Sequence, residues 1–218
     1  MLKNAIFDVD GTLVDSKRDI ASAQLWVLQQ LGVDTYRLED LYPLIGKPLT
    51  ETFASLLPSS LHDRIAEAAN LYKERYPPRA LDTTTLFPGV RETVEALCRN
   101  GINLATATTK LTAGTRRVLT HFGIVEHFVQ IQGSDDMPFK PDPFIITKIL
   151  SDRGWEKKDT LMVGDTDNDI EAGKRAGIRT CGVTYGSLTK QQILHHKPDY
   201  VIDSIEELLT LIQDSAFE

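Results

Sequence analysis

Two rhythms of apolar and polar positions divide this chain. In residues 1–16 and 83–218 short apolar runs alternate with helical periodicity, whereas residues 17–82 carry helical spacing alone. Ala5-Ile6-Phe7 reads as a buried strand that stops in an acidic turn, Asp8-Val9-Asp10-Gly11-Thr12. Lys17–Leu31 has Ile20, Ala23, Val27, Leu28 and Leu31 on one side and Gly32 just beyond, the pattern of a helix closed by glycine. Short amphipathic pieces follow at Arg37–Tyr42, Thr50–Leu57 and Leu61–Tyr76, broken by Pro43, Gly46, Pro48 and Pro58. They predict a small all-helical unit, and Ala80–Leu86 reads as a hinge between two breaks, Tyr76-Pro77-Pro78-Arg79 and Leu86-Phe87-Pro88-Gly89.

After Gly89 helices and strands alternate. Helices are predicted at Val90–Arg99, Thr112–Phe122, Pro143–Asp152, Asp169–Ala176, Thr189–His195 and Ile205–Ile212. Strands are predicted at Ile102–Thr106, Phe128–Ile131, Thr160–Val163, Thr180–Val183 and Tyr200–Ile202. Such alternation implies an α/β domain with a parallel sheet covered on both faces, interrupted after its first strand by the helical insertion. Ligands in such sheets bind beyond the carboxyl ends of the strands.

Composition narrows the classes. The chain has 218 residues, 41% apolar and 25% charged, as in an ordinary globular protein. Its net charge of −7 leaves no broad basic surface for nucleic acid or an anionic membrane. No apolar run approaches the roughly 20 residues needed to span a bilayer. The N-terminus runs straight into the first strand, so no signal or transit peptide is expected. Cys98 and Cys181 lie far apart in apolar settings and are expected to be reduced and inert, with the cytoplasm as the default location. Monomer and dimer are both open.

The strand ends carry the candidate chemistry. Asp8 and Asp10 are two apart and can face one pocket, with Gly11 allowing a sharp turn beside it. The Ile102–Thr106 strand runs into Ala107-Thr108-Thr109-Lys110, where a hydroxyl and backbone N–H groups could hold a phosphoryl oxygen; a helix N-cap is the alternative. Lys140 lies among Pro138, Pro141 and Pro143, whose rigid backbone could aim it, although a lone lysine is usually solvated. Leu161-Met-Val-Gly164-Asp165-Thr166-Asp167-Asn168-Asp169 repeats the first pattern, with capping as the alternative role for Asp165 and Asp169. Two carboxylates about 4 Å apart repel by roughly 4 kcal/mol at an effective dielectric of 20. Convergence of Asp8, Asp10 and Asp165 would therefore call for a divalent cation, and all-oxygen ligands favour Mg²⁺. No His or Cys cluster offers a zinc site, and His195-His196 read as surface residues.

Asp8-x-Asp10-Gly11-Thr12-Leu13-Val14-Asp15-Ser16, Thr108, Lys140-Pro141-Asp142-Pro143 and Gly164-Asp165-x-x-x-Asp169, in this order, resemble the four motifs of the haloacid dehalogenase superfamily. The resemblance covers essentially the whole chain. It implies a Rossmann-like core (1–16 and 83–218) with an inserted small all-helical cap (17–82), as in the phosphoglycolate phosphatase-like branch. On that resemblance Asp8 would be the nucleophile and Asp10 the acid and base. Asp8, the Asp10 carbonyl and Asp165 would bind Mg²⁺ with Asp169 in support, and Thr108 and Lys140 would hold phosphoryl oxygens. The implied activity is hydrolysis of a small phosphorylated metabolite through an aspartyl-phosphate. Asp10 argues against the dehalogenases, and the transport ATPases need membrane spans. Sugar phosphomutases such as β-phosphoglucomutase stay open.

Leu41–Phe53, with Gly46-Lys47-Pro48, is similar to this branch's specificity loop, and Lys47 could meet a substrate carboxylate or second phosphate or be merely solvated. Arg75 and Arg79 are further cap cations. This loop and Thr108-Thr109-Lys110 also resemble the branch's bacterial pyrophosphatases. Thr109 stands where phosphoglycolate phosphatases more often carry Asn. A response-regulator receiver uses Asp, Thr, Lys and Mg²⁺ at strand ends too, but its acceptor lies on the third strand and it has no helical insertion. A calcium loop fails on the spacing of Gly11 after Asp8, and a catalytically dead binding protein on the presence of every expected catalytic side chain.

Overall fold

The computed structural model describes residues 2–214. The chain divides into two units, one made of residues up to Val14 together with those from Leu86 on, the other of Asp15–Thr85.

In the first unit, strands β1 (Asn4–Phe7) and, below, β4 to β8 form a parallel sheet; two-residue strands β2 (Val14–Asp15) and β3 (Thr85–Leu86) pair with each other where the chain passes between units. The Asp15–Thr85 unit holds helices α1 (Lys17–Gln30), α2 (Leu49–Leu56) and α3 (Ile65–Arg75), with 3₁₀ segments at Leu38–Leu44, Ser59–Arg64 and Pro77–Arg79. From Leu86 the order is α4 (Val90–Arg99), β4 (Asn103–Ala107), α5 (Thr112–His121), β5 (Phe128–Gln132), α6 (Phe144–Arg153), β6 (Thr160–Gly164), α7 (Asp167–Ala176), β7 (Arg179–Val183), α8 (Lys190–His195), β8 (Tyr200–Ile202) and α9 (Glu207–Asp214). No described helix is long and apolar enough to cross a membrane.

The sheet order is β5-β4-β1-β6-β7-β8, all parallel where neighbours pair. β1 is therefore central and buried on both faces, which is why Ala5, Ile6 and Phe7 form an unbroken apolar run. The chain moves from β1 out to β4 and β5, then returns to the other side of β1 with β6. The strand order reverses there, and in such sheets the binding crevice lies beyond the carboxyl ends of the strands at the reversal, here β1, β4 and β6. At the opposite ends Asn4 pairs in register with Asn103 and Thr160. Asn4 donates to the Thr160 hydroxyl at 3.3 Å and accepts from Asn103 at 3.0 Å, so a polar rung pins the three strands. On one face Ile145, Ile146, Ile149, Ala172 and Ala176 pack over Ile6, Ala105 and Met162.

The helical unit has its own core. Val27 and Leu28 of α1 join Leu41, Phe53, Ala68 and Tyr72, and Tyr72 stacks on Tyr76 with ring centroids 5.2 Å apart. Two local readings change. Leu38–Leu44 and Ser59–Arg64 are 3₁₀ rather than α-helical, in keeping with Pro43 inside the first and Pro58 before the second. Helix α7 begins at Asp167, two residues earlier than its periodicity suggests, because Thr166 and Asp169 form a reciprocal capping box. Both cysteines are free, and burial raises each thiol above its ordinary value.

Candidate active site

Each central strand delivers one polar group to the crevice. β1 ends at Phe7 and Asp8 follows it; Asp8 N–H donates to the Val163 carbonyl at 2.9 Å, continuing the β1–β6 ladder, so its carboxylate is set by the sheet itself. β6 ends at Gly164 and delivers Asp165. Asp169 comes from the first turn of α7, where Thr166 donates its backbone N–H at 3.0 Å and its hydroxyl at 2.6 Å to Oδ2. The other oxygen, Oδ1, remains available and meets Lys140. Capping and the crevice thus use different atoms of one carboxylate.

Asp8, Asp165 and Asp169 are all buried, and one carboxylate oxygen from each lies within 4.8 Å of the other two. Lys140 Nζ, 4% exposed as a residue, donates to Asp8 Oδ1 at 2.9 Å, to the Ala107 carbonyl at 2.8 Å and to Asp169 Oδ1. Its three protons therefore have three acceptors, and the solvated-surface alternative is excluded. Asp165 is held by the Thr12 hydroxyl at 3.0 Å and the Ser187 N–H at 2.7 Å, while Tyr185 donates its hydroxyl to the Thr12 carbonyl at 3.0 Å. Gly11 and Gly186 leave the space that this side chain occupies: a Cβ at Gly11 would fall 2.1 Å from Asp165 Oδ2, and one at Gly186 2.3 Å from Asp165 Cβ.

One ammonium among three buried carboxylates leaves two negative charges unmatched, and burial of an uncompensated charge costs several kcal/mol. The titration of the groups reflects this. Burial pushes the Asp8 carboxyl up to about 7, with Lys140 opposing the rise and Asp169, Asp165 and Asp10 adding to it. Burial and then Asp169 push Asp165 up to about 6, against the pull of Ser187 and Thr12. Burial acts to lower Lys140, but Asp169 and Asp8 beside it hold the ammonium well above the ordinary lysine value. The donor set is all oxygen, compact and two charges short of neutrality. Those properties fit a small, hard divalent cation such as Mg²⁺.

Asp10 behaves differently. Its side chain lies outside the carboxylate cluster, and its Oδ2 is 3.0 Å from Lys110 Nζ in a pair with side chains 11% and 8% exposed. Thr108, 1% exposed, donates its N–H to the Gln132 carbonyl at 3.3 Å, and its hydroxyl oxygen accepts from Lys110 N–H at 3.3 Å. It closes its own turn rather than capping α5, whose N-cap is Leu111. Thr109 is half-buried and its carbonyl accepts from Ser134 at 2.7 Å.

The predicted residues Asp8, Lys140, Asp165 and Asp169 thus meet in one cluster. Lys47 belongs to the helical unit, where it is exposed. In that unit Arg75 lies 4.9 Å over the Trp26 ring and Arg79 pairs with Asp82 at 3.2 Å. Lys110, Thr12 and Ser187 contact the acidic residues of the site and were not assigned by sequence reasoning. Extending the strand-end rule to β7, which runs into Thr184-Tyr185-Gly186-Ser187, would have found the last.

Comparison with known proteins places this geometry. Residues 5–183 match the family model described as haloacid dehalogenase-like hydrolase. Pyrophosphatase PpaX of Halalkalibacterium halodurans is 32% identical over 97% of this chain and 97% of its own. Phosphoglycolate phosphatase of Vibrio parahaemolyticus is also 32% identical, over 99% of this chain and 98% of its own. Among solved structures, the haloacid dehalogenase-like hydrolase SP0104 from Streptococcus pneumoniae superposes with a TM-score of 0.88 at 28% identity, covering 96% of this chain and 98% of that one.

Proposed function

This chain belongs to the haloacid dehalogenase-like hydrolases, and from that premise we propose that it is a Mg²⁺-dependent phosphatase of a small phosphate ester, working through an aspartyl-phosphate on Asp8. The observation that carries the reading is the buried quartet of Asp8, Asp165, Asp169 and Lys140 at the strand-order reversal. Asp8, Asp165 and the backbone carbonyl of Asp10 would hold Mg²⁺, with Asp169 in support. Bound there, the ion would supply positive charge that lets Asp8 approach an anionic phosphoryl group.

Asp8 Oδ attacks phosphorus as the bond to the leaving oxygen breaks, and Asp10 gives that oxygen a proton. In the second step water attacks phosphorus, Asp10 takes its proton, and Asp8 departs as a carboxylate with release of inorganic phosphate. Lys140, already donating to Asp8, offsets charge that builds on the phosphoryl oxygens, and the Thr108 hydroxyl has its own proton to donate there. Asp15–Thr85 would serve as the cap, with Lys47 its first candidate for substrate contact and Arg75 and Arg79, already engaged within that unit, after it.

Phosphoglycolate is the first candidate substrate. Inorganic pyrophosphate is the second, favoured by the relative of that name and by the Thr108-Thr109-Lys110 turn. A panel of 2-phosphoglycolate, pyrophosphate, nucleoside monophosphates and β-glucose 1-phosphate, run with wild type and Asp8→Asn, tests the reading. Phosphate release that needs both Mg²⁺ and Asp8 supports it. Near-normal turnover by Asp8→Asn sinks the covalent scheme, and conversion of β-glucose 1-phosphate to glucose 6-phosphate without net phosphate release points to a mutase.

A further inference from the structure

We infer that Lys110 is a specificity-determining residue that contacts an anionic group carried by the leaving group, so that the core itself selects phosphates whose leaving group is charged. The inference rests on the phosphatase reading above, in which Asp10 protonates the leaving oxygen.

Lys110 is a built feature rather than a stray surface lysine. Its N–H donates to Thr108 Oγ1 at 3.3 Å and its carbonyl accepts from Ser134 N–H at 3.2 Å, so its backbone is fixed from both sides. Gly133 packs directly on that carbonyl, where a Cβ would stand 2.4 Å from the oxygen. The aliphatic stem runs along Gly114 of α5, whose Cβ would lie 3.4 and 3.5 Å from Cγ and Cδ. The backbone of Lys110 is thus fixed before binding, and the Asp10 pairing orients its Nζ, which lowers the ordering cost of a contact made there.

Position gives the chemistry. A general acid must come within about 3 Å of the oxygen it protonates. Lys110 Nζ is 3.0 Å from Asp10 Oδ2, beside the group that protonates the leaving oxygen in the phosphatase reading, whereas Lys140 is committed to Asp8, Asp169 and the Ala107 carbonyl. An anionic group one or two bonds beyond the leaving oxygen can therefore come within hydrogen-bond reach of Nζ. The carboxylate of 2-phosphoglycolate and the second phosphoryl group of pyrophosphate both meet that requirement; a neutral alcohol does not.

The matched test compares 2-phosphoglycolate with 2-hydroxyethyl phosphate, which replaces the carboxylate by a neutral hydroxymethyl group, and adds pyrophosphate. For Lys110→Met, kcat/KM on the two charged-leaving-group substrates should fall at least about 10-fold more than on the neutral one, with Lys110→Arg recovering part of the difference. The ratio is what matters, since a merely structural pairing with Asp10 would depress all three substrates alike. Equal losses, or no loss, overturn the role of Lys110 and leave the phosphatase reading standing. Failure of the wild type to turn over any of the three with Mg²⁺ overturns this inference, and failure on the whole panel above overturns the phosphatase reading with it.

Discussion

Gly11 and Asp165 are so close that a methyl group on the Gly11 α-carbon would fall 2.1 Å from Asp165 Oδ2. Gly11 also has φ +88°, a region that L-residues enter at a cost of about 1–2 kcal/mol. Gly11→Ala should therefore do more than strain a turn: it should displace one of the three clustered carboxylates. The expected result is a folded protein by circular dichroism, with a lowered Tm and phosphatase turnover reduced on the order of 100-fold or more. Wild-type turnover in this variant would show that Asp165 can move without consequence.

The charge imbalance of the cluster predicts a stability profile for the Mg²⁺-free protein. The folded-state value of Asp8 is raised, from 3.8 to about 7, and that of Asp165 to about 6. A carboxyl raised in the folded state binds more protons folded than unfolded across that interval, so stability falls as pH rises from about 4 to about 7. Asp8→Asn removes one of these ionisations. It should raise the Tm of the Mg²⁺-free protein at pH 8, flatten the decline between pH 4 and 7, and abolish turnover. Added Mg²⁺ should raise the wild-type Tm more at pH 8 than at pH 5, because protons compete for the same oxygens. A wild-type Tm that climbs steadily from pH 5 to 8 without Mg²⁺ would contradict this.

The fold and the carboxylate cluster were legible for one reason: both follow from where apolar runs end. Asp8 and Asp165 each directly follow a buried strand, and in a parallel sheet adjacent strand ends must meet. Lys140 needed the resemblance, since nothing local separates it from a solvated lysine. Ser187 lay within reach of the strand-end rule applied to β7, but its partner, like those of Lys110 and Asp19, was unreadable for a different reason. The partners of Lys110, Ser187 and Asp19 are Asp10, Asp165 and Thr83-Thr84, and the pairing becomes visible only when segments far apart in sequence are brought together. Short-range pattern also missed the 3₁₀ character of Leu38–Leu44, because apolar spacing does not distinguish one tight turn from another over a few residues.

The polar rung opposite the site should matter to stability and not to chemistry. Asn4 is 4% exposed and bridges Asn103 and Thr160 at 3.0 and 3.3 Å. Asn4→Ala should destabilise the protein by about 1–2 kcal/mol in urea unfolding, with kcat and KM per folded molecule unchanged. A change in KM would mean that strand register reaches the crevice.

The last prediction concerns the return of the chain from the helical unit. Asp19, 5% exposed on α1, accepts from the N–H and hydroxyl of Thr83 and from the N–H and hydroxyl of Thr84, all between 2.6 and 3.1 Å. One carboxylate thus ties the start of the first helix to the segment that leads into β3. Burial acts to raise Asp19, but the hydrogen bonds from Thr83 and Thr84 outweigh it and leave the carboxyl below its ordinary value. A depressed folded value means that the stabilisation is complete above the unfolded value, about 3.9, and is lost as pH falls through the folded one. Asp19→Ala removes all the acceptors at once and should cost about 2 kcal/mol or more near neutral pH. The loss relative to wild type should shrink on acidification below about pH 4, progressively as pH falls toward the depressed folded value at which the wild-type carboxylate takes up its proton. Trypsin offers a local readout, because Arg79 lies just before this segment and pairs with Asp82 at 3.2 Å. Cleavage after Arg79 should quicken in Asp19→Ala under conditions where cleavage elsewhere does not. Unchanged cleavage at Arg79 together with an unchanged Tm would mean that the Asp19 hydrogen bonds add nothing the flanking pairing of β2 and β3 does not already supply.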